Sequence, residues 1–97
     1  MVIGLARVVL HVPASRSLKE TRAVVKSLVA LTQNQFQMAV AEVDKQDQWQ
    51  IAVLGLACVS TSAAHADEMV ARAVGFIASR KVEAQVIDYE TEVIHAF

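Results

Sequence analysis

The chain has 97 residues, 55% of them hydrophobic but only 5% aromatic, 20% charged, and a net charge of −1. That length makes one domain, residues 1–97, with a single core and no room beside it for a deep enclosed pocket. The near-zero charge supplies no global field toward nucleic acid or membrane. The apolar surplus over the usual ~45–50% predicts an exposed apolar sheet face or edge that binds a second subunit.

Charge is uneven along the chain. Residues 1–48 hold six Lys/Arg and four Asp/Glu, or +2, and residues 49–97 hold three and six, or −3. Cys58 is the single cysteine, so no disulfide forms within the chain, which fits a reducing cytoplasm. No signal peptide is visible, because Arg7 and His11 interrupt the first apolar run and Pro13 ends it. No run is long enough to cross a bilayer.

Val2 to Val12, rich in Val, Ile and Leu, reads as a strand stopped by Pro13. Ser17-Leu18-Lys19-Glu20 fits a capping box, with Ser17 accepting from the Glu20 amide and Glu20 bonding back to the Ser17 amide. Leu18, Thr21, Val25, Leu28 and Thr32 then repeat at helical spacing, which predicts a helix from Leu18 to Gln33. Gln33-Asn34-Gln35 breaks that pattern, and Phe36 to Val43 reads as a second strand. A polar turn over Asp44 to Gln48 leads to a third strand, Trp49 to Ser60, in an antiparallel hairpin. Ser60-Thr61-Ser62 offers an N-cap for a helix over Ala63 to Ser79. Its early Asp67 and Glu68 and terminal Arg80-Lys81 suit the helix dipole. Ala84 to His95 is the last strand.

The order β-α-β-β-α-β is the ferredoxin-like α+β pattern. Right-handed crossovers place both helices on one face of a four-stranded antiparallel sheet with strand order 4-1-3-2. The other face is uncovered. On it, Asp88, Glu90 and Glu92 are expected to meet Arg7, beside Ile3, Leu5, Val9 and His11. An RNA-recognition motif shares this topology but stacks bases on aromatics in its first and third strands. Ile51 to Cys58 has no aromatic and no cation, and the three carboxylates of the same sheet repel phosphate, which argues against that mode of reading RNA. Small apolar residues beside a few charges suit a subunit interface, with Ile3, Leu5 and Val9 in it.

Arg16, Lys19, Arg22 and Lys26 surround the start of the first helix, the last three as a stripe at spacings of three and four. A helix N-terminus with added cations suits an anion such as an RNA backbone phosphate, with Ser17 beside it. Glu20 opposes this, and the loop lacks the glycines of a phosphate cradle. The glycine-rich loop of acylphosphatases is likewise missing, and there is no C-x-x-C for a metal. Glu42, Asp44 and Asp47 near the hairpin turn read as turn formers rather than a Mg²⁺ site. Trp49 after them reads as a packing or interface anchor, and Asp47 and Trp49 together as interaction candidates. The histidines show no ligand spacing, and Ser60 to His65 reads as a cap rather than a nucleophile with its base. No catalytic constellation, metal site or cofactor site emerges.

Several stretches together resemble the YlxP-like bacterial proteins, also called domain of unknown function 503. These are His11-x-Pro13-x-Ser15, Ser17-Leu18-Lys19-Glu20-x-Arg22-x-Val24-Val25-Lys26-Ser27, and Ala41-Glu42-Val43-Asp44-x-Gln46-Asp47-x-Trp49-Gln50. Ala52-Val53-Leu54-Gly55, Ser60 with Ala64-His65, and Val86-Ile87-Asp88-Tyr89-Glu90 complete the likeness. Phe36-Gln37-Met38 departs from the Phe-Asn-Val of that pattern. The resemblance implies the ferredoxin-like fold and no established reaction. Members are often encoded beside translation initiation and ribosome-maturation factors. That implies an accessory role with ribosomal RNA or a ribosome-associated protein as partner. The alternative expectation is a self-associating regulatory or scaffolding domain without nucleic acid.

Overall fold

A computed structural model describes residues 1–45 and 48–97. The elements are β1 (Val2–His11), α1 (Leu18–Phe36), β2 (Ala39–Asp44), β3 (Ile51–Ser60), α2 (Ala63–Ser79) and β4 (Gln85–His95). All strand pairs are antiparallel, in the order β2-β3-β1-β4, which is the expected 4-1-3-2 read from the other edge. The ferredoxin-like fold is therefore as the sequence predicts.

Alternation along β1 fixes the two faces. Val2, Ala6, Val8 and Leu10 are buried, whereas Ile3, Leu5, Val9 and His11 are only half-buried and Arg7 is exposed. Ala6, Val8 and Leu10 pack with Ala52, Leu54 and Leu56 of β3 beneath Val25 and Leu28 of α1 and Val70, Ala73, Val74 and Ile77 of α2. Helix α2 lies over β1 and β4, and α1 over β2 and β3. The close seat of α2 depends on Gly4. A Cβ there would stand 2.9 Å from both the Ala66 carbonyl and Val70 Cγ2.

Apart from shifts of a single residue, three boundaries differ from the sequence expectation. Helix α1 runs one turn past Gln33 to Phe36, whose ring meets Phe76 of α2 edge to face, with centroids 5.5 Å apart. The polar Gln33-Asn34-Gln35 segment carries fair helix propensity, and this tertiary contact holds it helical. Gln37 then stops the helix in the left-handed conformation (φ 50°, ψ 45°), so β2 begins at Ala39 instead of Phe36. Likewise β3 begins at Ile51, because Trp49 and Gln50 turn their side chains to the β1–α1 loop.

Candidate functional site

Three surfaces bring the sequence-predicted residues together. The first is the corner between β1 and α1. Ser17 caps α1 with its hydroxyl, which accepts from the Glu20 amide at 3.1 Å. The Glu20 carboxylate returns to the Arg16 amide, one residue earlier than the expected Ser17. Ser15 is buried; its hydroxyl stands 2.8 Å from the Ser17 carbonyl and 2.7 Å from the hydroxyl of buried Thr21, with one proton to give to either. Thr21 also donates to the Trp49 carbonyl. In return the Trp49 indole N–H donates to the Ser15 carbonyl at 3.0 Å, and the Gln50 amide to the Pro13 and Ser15 carbonyls at 3.2 Å. Trp49 is thus an anchor between hairpin and loop with half its surface still exposed. Ser15, Thr21 and Gln50 were not singled out from sequence as site residues. Their partners across the corner lie 28 to 37 residues away, in a fold that spacing does not describe.

The cations around this corner separate into two groups. Arg16, Lys19 and Lys26 are exposed, and among the described residues no carboxylate pairs with them. Arg22 leaves the expected stripe of three. Its Nη1 donates to Oε1 of Glu42 on β2 in an ion pair whose side chains retain 27% and 16% exposure. Arg22 Nε and Nη2 and Glu42 Oε2 are enclosed without a partner among the described residues. The pair borders a groove of about 590 Å³ between α1 and β2, walled by Val25, Val29 and Ala30 with Lys26 and Gln33 at its rim. Ser17, a candidate beside the anion, already spends its hydroxyl on the cap. Asp47 lies outside the described residues.

The third surface is the open sheet face. Ile3, Leu5 and Val9 lie there with Gly55 and Ala57 of β3 and Ala39 and Ala41 of β2, by register. Gly55 forms a low point: a Cβ there would stand 2.9 Å from Val43 Cγ1. Val43, at the bulge where β2 shifts register against β3, leans over that point. A trough of about 780 Å³ results, between Val43 on one side and Arg7 and Glu90 on the other. Arg7 faces Glu90 in register, and its Nη2 donates to Oε1 at 2.6 Å, as the sequence predicts. That hydrogen bond and the carboxylate's charge raise the Arg7 pKa above its ordinary value, so Arg7 is a permanent cation in the face. Exposed apolar side chains continue outward at Val59 and Ile94.

At the far end of the sheet, Ser60 Oγ lies 3.0 Å from His65 Nδ1, and Ser62 caps α2 by accepting from the His65 amide. Ser60 Oγ also accepts from the Ser62 amide, and both side chains stand at the surface. Among the described residues no carboxylate hydrogen-bonds to His65.

Residues 3–91 match the family described as Protein of unknown function (DUF503). This chain belongs to the DUF503 family. A relative, the uncharacterized protein YlxP of Bacillus subtilis (strain 168), is 36% identical over 78 residues, which is 80% of this chain and 85% of YlxP. Among solved structures, a structural-genomics protein, YJCS, superposes with a TM-score of 0.59 at 10% identity and covers 96% of this chain and 99% of its own. SnoaB, a cofactor-independent oxygenase from Streptomyces nogalater, gives 0.53 at 13% identity over 99% and 93% of the two chains. At such identities these likenesses speak to the fold alone.

Proposed function

We propose that this DUF503 chain is a non-enzymatic binding domain whose working form is a pair of chains joined through their open sheet faces. The carrying observation is the uncovered face of Ile3, Leu5, Val9, Ala39, Ala41 and Ala57, with its Gly55 trough. Four strands of six to eleven residues, about 4.8 Å apart and about 3.3 Å per residue, give a footprint of up to roughly 19 by 33 Å. That is about 600 Å² before side-chain relief, close to the ~800 Å² per partner of a standard interface. Charge selects the arrangement. A two-fold axis parallel to the strands lays the acidic β4 of each chain over the partner's uncharged Ala39–Ala41 segment and keeps the two acidic rows apart.

Sedimentation equilibrium of the wild type and Leu5→Lys tests this. Leu5 stands opposite Glu92 in register, so a lysine finds a carboxylate within its own fold while it charges the interface. The wild type is expected to self-associate at micromolar concentration, and Leu5→Lys to remain a folded monomer. A wild type that stays monomeric at high micromolar concentration overturns the reading.

A second reading rests on the exposed Arg16, Lys19 and Lys26 around the start of α1. They fit RNA backbone phosphates, and the family resemblance points that contact toward the translation machinery in the cytoplasm. Three phosphate contacts predict a slope of about −2 to −3 in log K against log salt. Co-sedimentation with ribosomal subunits, wild type against a Lys19→Glu, Lys26→Glu double variant, measures it. Salt-independent association, or association unchanged in the double variant, excludes the phosphate contact.

A further inference from the structure

The outer edge of β4 combines three features. The first is an open backbone. Among the described residues no strand pairs with this edge, so its outward amides and carbonyls can bond an added strand. The opposite edge, β2, is six residues long and bulged at Val43, which blunts it. β4 is eleven residues long, and past its irregularity at Ile87 it keeps register with β1 from Asp88 to His95.

The second feature is charge. Asp88, Glu90 and Glu92 stand exposed on the open sheet face of that stretch. Arg7 holds Glu90, whereas Asp88 and Glu92 have no ion-pair partner among the described residues. The third is an apolar ledge on the helix side. Register sets Tyr89, Thr91 and Val93 opposite Val8, Ala6 and Gly4, which the helices cover. Yet Tyr89, and Ile87 before it, keep 56% of their surface exposed. Phe76 of α2 turns to Phe36 of α1, so a helical step of about 100° per residue puts Ala71 and Ala78 on the flank toward β4. Side chains that small leave the ledge uncovered.

We infer that β4 receives an extended segment of a protein partner as an added antiparallel strand, with two basic residues four apart and apolar residues between them. The basic residues meet Glu92 and Asp88, about 13 Å apart along the strand. The residue midway between them faces Glu90, which Arg7 already holds, and is uncharged. The apolar residues face Val93, Thr91 and Tyr89 on the ledge. A second copy does not fit. β4 paired with itself about Glu90 sets Asp88 against Glu92 and the two Glu90 side chains against each other. No strand of this chain holds two Lys or Arg residues. The edge lies beside the sheet face, and the inference does not rest on the pairing of faces.

Nuclear magnetic resonance of the full chain at low salt tests this, with the blocked peptide Val-Lys-Val-Thr-Val-Lys-Val as probe. The expected result is a saturable shift and slowed hydrogen exchange at amides between Asp88 and Val93. Two control peptides are expected to give neither: one with both lysines replaced by glutamate, and one with its internal amide nitrogens methylated, which keeps the charge and removes the backbone donors. Asp88→Lys with Glu92→Lys changes two exposed positions and leaves the Arg7–Glu90 pair in place. This double variant is expected to hold its backbone spectrum and bind the lysine peptide about tenfold more weakly or worse. No shift with the lysine peptide, shifts confined to another surface, equal binding of either control, or unchanged affinity in the double variant overturns the assignment.

Discussion

At the scale of the residue, hydrogen bonds decide more than charge. The corner of β1 and α1 is held by Ser15, Thr21, Trp49 and Gln50, each bonded to backbone or side chain of a distant segment. Thr21 is fully buried, and its hydroxyl faces both Ser15 and the Trp49 carbonyl. Thr21→Val keeps its shape and removes both bonds, which leaves the Trp49 carbonyl without its donor. The expected cost is about 1–3 kcal/mol in urea unfolding, with no change in helix content. The cap at Ser17 was readable because it lies three residues from its partner. The Arg22–Glu42 pair was not, because helical spacing names the face a cation occupies and not the strand it meets. Arg22 reads as one of four equal cations in sequence, and only the placement of β2 beside α1 draws it away.

At the scale of the element, the two sheet glycines have different roles. At Gly4 a methyl group would meet the Ala66 carbonyl and Val70, both on the packed helix α2, with Cys58 Sγ at 3.1 Å. The helix must then shift. At Gly55 the obstacle is Val43 alone, an exposed side chain on a bulged edge strand. Gly4→Ala is expected to lower stability by about 1–3 kcal/mol. Gly55→Ala costs about 0.5 kcal/mol or less, since Val43 can turn aside. Paired thermal and urea unfolding curves measure the contrast. All six elements were legible in sequence, because each alternation or helical stripe is long enough to show its period. The missed ends are those set by tertiary contacts. Phe36 is drawn into the helix by Phe76, and Trp49 is drawn off the strand by Ser15. In the last strand Glu90 faces Arg7 as the alternation predicts, but Ile87 and Tyr89, on the side opposite the acidic row, stand at the surface.

At the scale of the whole molecule, the helices cover one sheet face and nothing within the described chain covers the other. The apolar surplus in the composition signals this, since a single small core cannot enclose it. What composition does not reveal is the relief of that face, the low point at Gly55 and the ridge at Val43, which arises from the bulge in β2. A pair formed there links stability to concentration. The wild-type midpoint of thermal unfolding should rise with protein concentration while that of Leu5→Lys stays constant. A concentration-independent wild-type midpoint would agree with a monomer and count against the pair.

The order β2-β3-β1-β4 also sets a timetable. β1 is synthesised first and occupies the middle of the sheet, yet both its partners, β3 and β4, come later. At roughly 5–20 residues per second, β1 waits on the order of seconds for β3 and longer for β4. Helix α1 can form locally in that interval, but the central strand has no neighbour to bond. A nascent chain cut short before β4 would hold one long edge of β1 open, with Leu5 and Val9 beside it. Cooperative folding is therefore expected only as the final strand clears the exit tunnel, and until then β1 is the segment most in need of a chaperone.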